Sequence, residues 1–299
     1  MGAEIISNDG KAPLNITGKS LNGIKYISKL ASAQVKSCIL LAGLNAKGTT
    51  TFVEPYLSRN HTELMFEYMG ANLCKGIDKE LKRPFVSIEK SNLVPKDIFI
   101  PGDISSAAFF IVAGLIVPGA DIILKNVGLN PTRTGILEVV KNMGGDIEIL
   151  DKKTVSNEIV GDIRIKYSHL KPFIIEGEII QRLIDELPVI AVLATQAEGE
   201  TIVKDAGDLR NKESDRIKTI VTELTKIGAD IKETPDGFII HGKKELNGDA
   251  EIETYHDHRL AMSMYVAGLI CKKEILIKDF EWVNISFPEF EGLMKSLSF

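Results

Sequence analysis

A block of sequence that recurs along the chain limits what this protein can fold into. Its first landmark is a glycine after a bulky apolar residue, found at Met1-Gly2-Ala3, Met69-Gly70-Ala71, Met143-Gly144-Gly145 and Ile227-Gly228-Ala229. Its second landmark ends an apolar helical stretch, found as Ala-Gly-Leu at 42–44, 113–115 and 267–269 and as Ala-Thr at 194–195. A β-rich run follows each second landmark. Such self-similarity is typical of one repeated supersecondary unit, and the order here is helix, strand, helix, strand, strand.

The helices of this unit are predicted from their apolar patterns. Those that lead into the second landmark are almost wholly apolar after the first turn, as in buried helices, and they begin near Ser32, Asp103, Asp185 and Asp257. The second helix of each unit is amphipathic and also opens with polar residues, at 58–62, 130–134, 211–217 and 286–288. One such start alone indicates ordinary capping. A whole series of them favours a cavity that binds anions at helix N-termini.

The repeat also predicts how the chain is divided. Met1 corresponds to a point just after the second helix of a unit, so we expect it to be internal to a longer parent or the start of a truncated version. Pro101-Gly102 follows a strand-like run and predicts a hinge. We therefore expect a partial domain at residues 1–102 and a second domain at 103–299.

Charge and cysteine content narrow the range of functions. Lys and Arg total 36 against 41 Asp and Glu, a formal net charge of −5, which argues against non-specific nucleic-acid binding. The three cysteines have no Cys-x-x-Cys spacing, which favours neither a disulfide framework nor a zinc site. No apolar run reaches the about 18 residues of a membrane span, and the amino terminus lacks an export signal. We expect a cytoplasmic protein with no nucleic-acid or membrane partner.

The segment 211–217 places charges where a helix should be apolar. The apolar stripe that starts at Ile217 follows the helical period, and extended backwards it puts Glu213 near its centre and Arg216 near one edge. We expect both side chains to face inward from the first turn, with Lys212 as a second cation beside them. The alternative interpretation is a salt-bridge cluster at the start of the helix.

Four segments in chain order resemble the EPSP synthase family of enolpyruvyl transferases. They are Ser32-Ala33-Gln34, Asp185-Glu186-Leu187-Pro188, Lys212-Glu213-Ser214-Asp215-Arg216 and Asp257-His258-Arg259-Leu260-Ala261-Met262. The resemblance runs from Met1 to the segment 286–288. It implies an α/β fold of repeated βαβαββ units in a two-domain, inside-out α/β barrel architecture, with the first domain incomplete here. It also implies a monomer whose substrates are held between helix N-termini.

The resemblance implies a specific reaction. The family transfers the enolpyruvyl group of phosphoenolpyruvate to the 5-hydroxyl of shikimate 3-phosphate and releases phosphate, through a tetrahedral intermediate. This chemistry requires no metal and no cofactor. It requires cations for two phosphates and a carboxylate, a base for the hydroxyl and an acid for the methylene carbon.

The resemblance also implies roles for individual residues. Asp185 corresponds to the proton acceptor, and Glu213 to the acid and base at the methylene carbon. Two cations beside Glu213 favour its ionised form, which suits a base, so burial has to oppose them. The residues expected to bind shikimate 3-phosphate are Ser32, Ala33, Gln34, Ser58, Arg59, Asp185, Asp208 and Lys212. Those expected to bind phosphoenolpyruvate are Gln34, Arg216, His258 and Arg259.

Several alternatives stay open at this point. Asp185 could serve only as a helix cap, and the segment His256-Asp257-His258 could suggest a metal, although two histidines without a third ligand are a weak signal. The sister transferase that acts on UDP-N-acetylglucosamine shares the repeat. Because cationic residues that the family carries at its amino terminus have no counterpart here, we expect the chain alone to be inactive, and a non-catalytic anion-binding fragment is the remaining alternative.

Overall fold

The computed structural model describes residues 1–297, whose contacts separate into two compact units. The first unit comprises residues 1–100 together with 154–158, and the second comprises residues 101–153 and the chain from Ile159 onward. Residues 154–158 are the tip of a β-hairpin whose two strands otherwise belong to the second unit.

The first unit holds one complete copy of the repeat after an isolated hairpin. Its elements are β1 (Glu4–Asn8), β2 (Lys11–Thr17), β3 (Lys25–Ile27), α1 (Ala33–Gly43), β4 (Thr50–Val53), α2 (His61–Tyr68), β5 (Leu73–Ile77) and β6 (Pro84–Ile88). Strands β1 and β2 pair with each other in antiparallel fashion. The other four form a sheet in the order β3-β4-β6-β5, in which only β3 and β4 are parallel. A small core around Phe52 and Phe66 lies between this sheet and its helices.

The second unit contains further copies of the same supersecondary pattern. Its elements are α3 (Ile104–Ile116), β7 (Asp121–Gly128), α4 (Gly135–Asn142), β8 (Asp146–Val155), β9 (Glu158–Lys166), β10 (Ile174–Ile175), α5 (Leu187–Ala194), β11 (Glu200–Val203), α6 (Arg216–Lys226), β12 (Asp230–Thr234), β13 (Gly237–His241), β14 (Ala250–Ile252), α7 (His258–Gly268), β15 (Ile275–Ile277) and α8 (Phe290–Ser296). The sheets run β7-β9-β8, β10-β11-β13-β12 and β14-β15.

The complete copies share one topology, which confirms the predicted α/β fold of βαβαββ units. The order β10-β11-β13-β12 repeats the order β3-β4-β6-β5, with the same single parallel pair. The leading strand was absent from the order that the apolar pattern predicts, because β3 has three residues and β10 has two. Runs this short show no alternation that separates a strand from a loop.

The glycine of the second landmark marks where a helix touches its sheet. A Cβ atom on Gly43 would lie 2.6 Å from Cγ2 of Ile88, and one on Gly114 would lie 3.0 Å from atoms of Ile122 and Ile165. These separations leave no room for a side chain. The recurrence of glycine at this position therefore reflects a packing contact shared by the copies that carry it.

The helices that precede this landmark differ in burial between the units. Every residue of α5 is buried, and α3 and α7 pack against α5 to form the core of the second unit. Helix α1 buries only Lys36, Leu40 and Gly43, so the prediction that it is a buried helix was wrong. Within the described part of the first unit, no second helix of this type is available to cover it. The helices described are also too short or too polar to cross a bilayer, α3 having 13 residues.

Candidate active site

Helix α6 begins at Arg216, later than the apolar stripe predicts. Asp215 is its N-cap, and the Asp215 side chain accepts a hydrogen bond from the Lys218 backbone N–H at 3.1 Å. Lys212, in the loop before this cap, has an extended backbone, and the Glu213 side chain is 50% exposed. The prediction that Glu213 faces inward from the helix was wrong. The N-cap Asp215 follows Glu213 in the chain, so the helix starts only after it.

The Arg216 guanidinium is buried among three carboxylates. Its side chain is 1% exposed, and its Nε and Nη2 donate to the Asp257 carboxylate at 2.7 and 3.2 Å. Nη2 also donates to Glu213 Oε2 at 2.6 Å, and Nη1 lies 3.5 Å from Asp185 Oδ1. The structure thus brings together three of the residues that the sequence singles out, Asp185, Glu213 and Arg216. The sequence did not indicate Asp257 as their partner.

Asp257 has two structural tasks at the start of α7. Its Oδ1 accepts the backbone N–H groups of Arg259 and Leu260, which confirms it as the helix cap. Burial alone would raise the pKa of Asp257, but the hydrogen bond and charge of Arg216 outweigh that effect, with help from the Ser214 hydroxyl. The pKa therefore lies below its ordinary value, and the carboxylate is ionised at neutral pH.

Asp185 lies immediately before Glu186, the N-cap residue of α5. Its carboxylate Oδ1 is 3.3 Å from Lys212 Nζ and 3.5 Å from Arg216 Nη1. Its backbone oxygen accepts a hydrogen bond from Arg259 Nη1 at 3.4 Å. Asp185 is therefore surrounded by cations from three different segments, the loop before α6, α6 itself and α7.

The first turn of α7 supplies two further candidates. Arg259 is half-buried, and within residues 1–297 its guanidinium makes a side-chain hydrogen bond only to the Asp185 backbone oxygen, so other N–H groups are available for an anion. Burial lowers the pKa of His258, and the neighbouring charge of Arg259 lowers it further. His258 is therefore neutral at pH 7.

A second buried carboxyl group lies next to this site and was missed by the sequence interpretation. Glu186 accepts a very short hydrogen bond from the Ser105 hydroxyl, and the same hydroxyl oxygen accepts from Arg133 Nη2 at 2.8 Å. Arg133 also pairs with Asp103, the cap of α3, at 2.6 Å. Burial raises the pKa of Glu186 against the opposing effects of Ser105 and Arg259. No local pattern could reveal this contact, since it joins residues 81 positions apart.

The first unit holds its own group of candidates. Ser32 is the N-cap of α1 and accepts from the Val35 backbone N–H at 3.4 Å, so Ala33 and Gln34 lie in the first turn. Ser58 and Arg59 follow β4, and both are partly buried. The Ser58 hydroxyl donates to Glu54 Oε2 at 2.5 Å.

Two residues predicted to bind the substrates lack side-chain contacts with other described residues. The side chains of Gln34 and Asp208 are exposed, and neither forms a hydrogen bond or ion pair with another described residue. Asp208 lies in a short 3₁₀ helix, Gly207–Asn211, just before the Lys212 loop. Their assignment as ligands stays a prediction.

No group of three or more His, Cys, Asp or Glu side chains within residues 1–297 has the geometry to hold a metal ion. His256, the residue behind the weak metal signal, stacks its ring on Trp282 with centroids 4.5 Å apart. His256 and Tyr255 both adopt left-handed backbone angles, with φ of +58° and +52°. This turn directly precedes Asp257. The Tyr255 hydroxyl donates a hydrogen bond to Glu223 Oε1 at 2.9 Å, which holds the turn in place.

The sequence is similar to known proteins over nearly its whole length. The family model described as EPSP synthase (3-phosphoshikimate 1-carboxyvinyltransferase) matches residues 1–294. A 3-phosphoshikimate 1-carboxyvinyltransferase from Bacillus velezensis is 52% identical over 295 residues, 97% of this chain and 67% of the relative. One from Thermoanaerobacter sp. is 52% identical over 291 residues, with the same two coverages. The chain thus spans about two thirds of the length of these relatives.

Solved structures agree with this result. An EPSP synthase from Acinetobacter baumannii superposes with a TM-score of 0.89 at 42% identity, covering 99% of this chain and 67% of that chain. The enolpyruvyl transferase NikO from Streptomyces tendae gives a TM-score of 0.76 at 16% identity, covering 98% of this chain and 68% of that chain. The second match supports the shared fold alone.

Proposed function

Since the chain belongs to the EPSP synthase family, we propose that its function is the transfer of the enolpyruvyl group from phosphoenolpyruvate to the 5-hydroxyl of shikimate 3-phosphate. The products are 5-enolpyruvylshikimate 3-phosphate and phosphate. The relatives at about 50% identity do not favour the UDP-N-acetylglucosamine alternative. The expectation that the chain alone is inactive stays a prediction.

The observation that carries this proposal is the set of cations around Asp185. Lys212 Nζ and Arg216 Nη1 approach its carboxylate at 3.3 and 3.5 Å, and Arg259 contacts its backbone oxygen. A carboxylate beside anion-binding groups can accept the proton of the attacking hydroxyl while those groups hold the reacting phosphate ester. We assign this role to Asp185.

Glu213 is the proposed acid and base for the methylene carbon of phosphoenolpyruvate. Its side chain is half exposed on a loop, and its partner among residues 1–297 is Arg216, whose Nη2 donates to Glu213 Oε2 at 2.6 Å. Exchange of a proton with solvent is therefore possible in the unliganded protein. Protonation of the carbon makes the adjacent centre electrophilic, and the hydroxyl activated by Asp185 adds to it to give the tetrahedral intermediate. Phosphate then leaves as Glu213 takes a proton back from the new methyl group, which restores the double bond of the enolpyruvyl product.

The two arginines have different proposed tasks in binding phosphoenolpyruvate. Arg259 has several N–H groups without partners among the described residues, so it suits direct, forked contact with a carboxylate or phosphate. Arg216 is buried and already satisfied by Asp257 and Glu213, so an anion that binds it has to displace Glu213. The neutral His258 adds a hydrogen-bonding group without a further charge.

Shikimate 3-phosphate is the proposed ligand of the remaining candidates. They are Ser32, Ala33, Gln34, Ser58 and Arg59 of the first unit and Asp185, Asp208 and Lys212 of the second. The support in the first unit is the open first turn of α1, whose backbone N–H groups favour a phosphate, and the hydroxyl and guanidinium that follow β4. We also propose a cytoplasmic monomer, in keeping with three cysteines that form no disulfide.

Ligand titrations of the 299-residue chain test the proposal. Isothermal titration with phosphoenolpyruvate in the presence of shikimate 3-phosphate is expected to show binding that Arg259→Gln weakens by about tenfold or more, the loss of a charge-assisted pair. Arg164→Gln is the matched control, because Arg164 forms an exposed bidentate pair with Asp121 and lies outside the site. Equal affinity for the two variants would remove Arg259 from the site.

Phosphate release separates an enzyme from a binding fragment. Turnover by the chain that falls in Asp185→Asn and Glu213→Gln by much more than ligand affinity does would support both catalytic roles. Binding without phosphate release would favour the fragment interpretation. Absence of binding of either substrate by the folded chain would overturn the proposed function.

A further inference from the structure

A buried lysine links the two substrate-binding segments of the first unit. Lys36, on α1, has a fully buried side chain, and its Nζ donates to Glu54 Oε1 at 2.9 Å and lies 2.8 Å from Glu63 Oε1. Nζ also donates to the backbone oxygen of Ser58 at 3.2 Å. One cation therefore faces two buried carboxylates, and it ties α1, which begins at the Ser32 cap, to the segment that carries Ser58.

The Ser58 hydroxyl is already committed to one of these carboxylates. It donates to Glu54 Oε2 at 2.5 Å, a short bond of the charge-assisted kind. A serine hydroxyl has a single proton to donate. While this proton lies on the bond to Glu54, Ser58 presents only lone pairs to a ligand, and a phosphate oxygen requires a donor. Ser58 cannot serve Glu54 and a phosphate at the same time.

We propose that Glu54 is a positioning residue that orients the Ser58 hydroxyl and competes with the ligand for its proton; this inference rests on the proposed function, which makes Ser58 a ligand of shikimate 3-phosphate. A dianionic phosphate monoester is a strong enough acceptor to displace a carboxylate from this hydroxyl, whereas a neutral hydroxyl group is not. Lys36 makes the exchange feasible, because it keeps its contact with Glu54 Oε1 when Oε2 loses its donor. The competition lowers affinity for the phosphate ester, whereas a ligand without the phosphate leaves the bond between Ser58 and Glu54 intact and is unaffected.

Two matched substitutions separate this competition from a general effect of charge. Glu54→Gln keeps the side-chain shape, removes the carboxylate, and lets the amide donate to Ser58 Oγ so that the hydroxyl proton turns to the ligand. Glu63→Gln removes the same charge from the same lysine at nearly the same burial, but Glu63 has no contact with Ser58. Thermal unfolding followed by circular dichroism verifies that both variants are folded.

Isothermal titration with shikimate 3-phosphate measures the effect. We expect Glu54→Gln to bind about five- to tenfold more tightly than the unaltered chain, the size of the typical net contribution of one hydrogen bond, and Glu63→Gln to bind within about twofold of it. Titration with shikimate, which lacks the phosphate, is expected to show no gain from Glu54→Gln. In a Ser58→Ala background, Glu54→Gln is also expected to give no gain.

Other results would overturn the inference. Unchanged or weaker binding by Glu54→Gln, an equal gain from Glu63→Gln, or a gain that persists without the Ser58 hydroxyl would each show that no proton competition takes place. If the three proteins bind shikimate 3-phosphate equally, the proposed function stands and only the competition fails. If none of the folded proteins binds it, the proposed function fails and the competition fails with it.

Discussion

Arg216 and Asp257 form a buried, two-pronged ion pair between α6 and the start of α7. Nε and Nη2 of the arginine reach the two carboxylate oxygens at 2.7 and 3.2 Å, and the side chains are 1% and 0% exposed. The same carboxylate caps α7, the helix whose first turn carries His258 and Arg259. One interaction therefore fixes the buried arginine and the helix start that supplies the other phosphoenolpyruvate candidates.

Asp257→Asn is expected to destabilise the second unit strongly. Asparagine is a good N-cap, so the loss comes from leaving the Arg216 charge buried without its main partner, which costs about 3–5 kcal/mol. The free energy of unfolding from urea titration measures it. Asp103→Asn is the control, because Asp103 also caps a helix and pairs with an arginine, but its side chain is 44% exposed. We expect about 1 kcal/mol or less there, and similar losses in both variants would contradict the buried-pair explanation.

The same pair predicts how stability changes in acid. Burial alone would raise the pKa of Asp257. The hydrogen bond and charge of Arg216 nevertheless hold this pKa below its ordinary value of 3.8. A group with a depressed pKa in the folded state contributes stability above its unfolded-state pKa and loses it as pH falls through the folded-state pKa. The difference in unfolding free energy between the unaltered chain and Asp257→Asn should therefore shrink from pH 5 towards pH 2. A constant difference would assign the loss to packing.

Much of the fold could be predicted because close packing contacts require glycine at the same position in several copies of the repeat. Gly43 and Gly114 recur where a helix meets a strand too closely for a Cβ atom, so the constraint is visible at a single position. The leading strands β3 and β10 were missed because they are held by pairing with a distant strand and are too short to show a pattern. The burial of α1 was misjudged because an apolar sequence says nothing about which neighbours are present.

The sequence pointed to residues that lie close together in the candidate site, but it did not predict their geometry. The family resemblance singled out Asp185, Glu213 and Arg216, and in the structure the carboxylates of Asp185 and Glu213 lie within 3.5 Å of the Arg216 guanidinium. The predicted start of α6 was wrong. The N-cap Asp215 sets where the helix begins, and the spacing of apolar residues carries no information about capping. The partner Asp257 lies 41 residues from Arg216, and a pairing over that separation leaves no local signal.

Lys36→Met is expected to destabilise the first unit. It leaves Glu54 and Glu63 as buried carboxylates without a cation, and loss of one partner from a buried ion pair costs about 3–5 kcal/mol. Lys75→Met is the matched control, because the Lys75–Glu67 pair is exposed and is worth about 1 kcal/mol or less. Urea titration measures both. Adding Glu54→Gln and Glu63→Gln to Lys36→Met should recover most of the loss, and failure to recover would point to packing of the lysine stem.

Glu186→Gln is expected to stabilise the second unit at neutral pH but not in acid. Burial raises the pKa of Glu186 above its ordinary value of 4.5, while Ser105 and Arg259 oppose the shift without cancelling it. Glu186 Oε2 is also buried without a hydrogen-bond partner among residues 1–297, an arrangement that disfavours a negative charge. A group with a raised pKa gives its full stability below the unfolded-state pKa and loses it as pH rises through the folded-state pKa.

Glutamine copies the neutral form of Glu186 at every pH, so its advantage should be absent at pH 4 and grow towards pH 7.5. Unfolding free energies from urea titration at both values measure the difference. Glu138→Gln, in an exposed pair with Arg182, should show no such growth. A less stable Glu186→Gln at pH 7.5 would mean that the ionised carboxylate is held by Arg133 and Arg259, and that the charge beside Asp185 is part of the site at neutral pH.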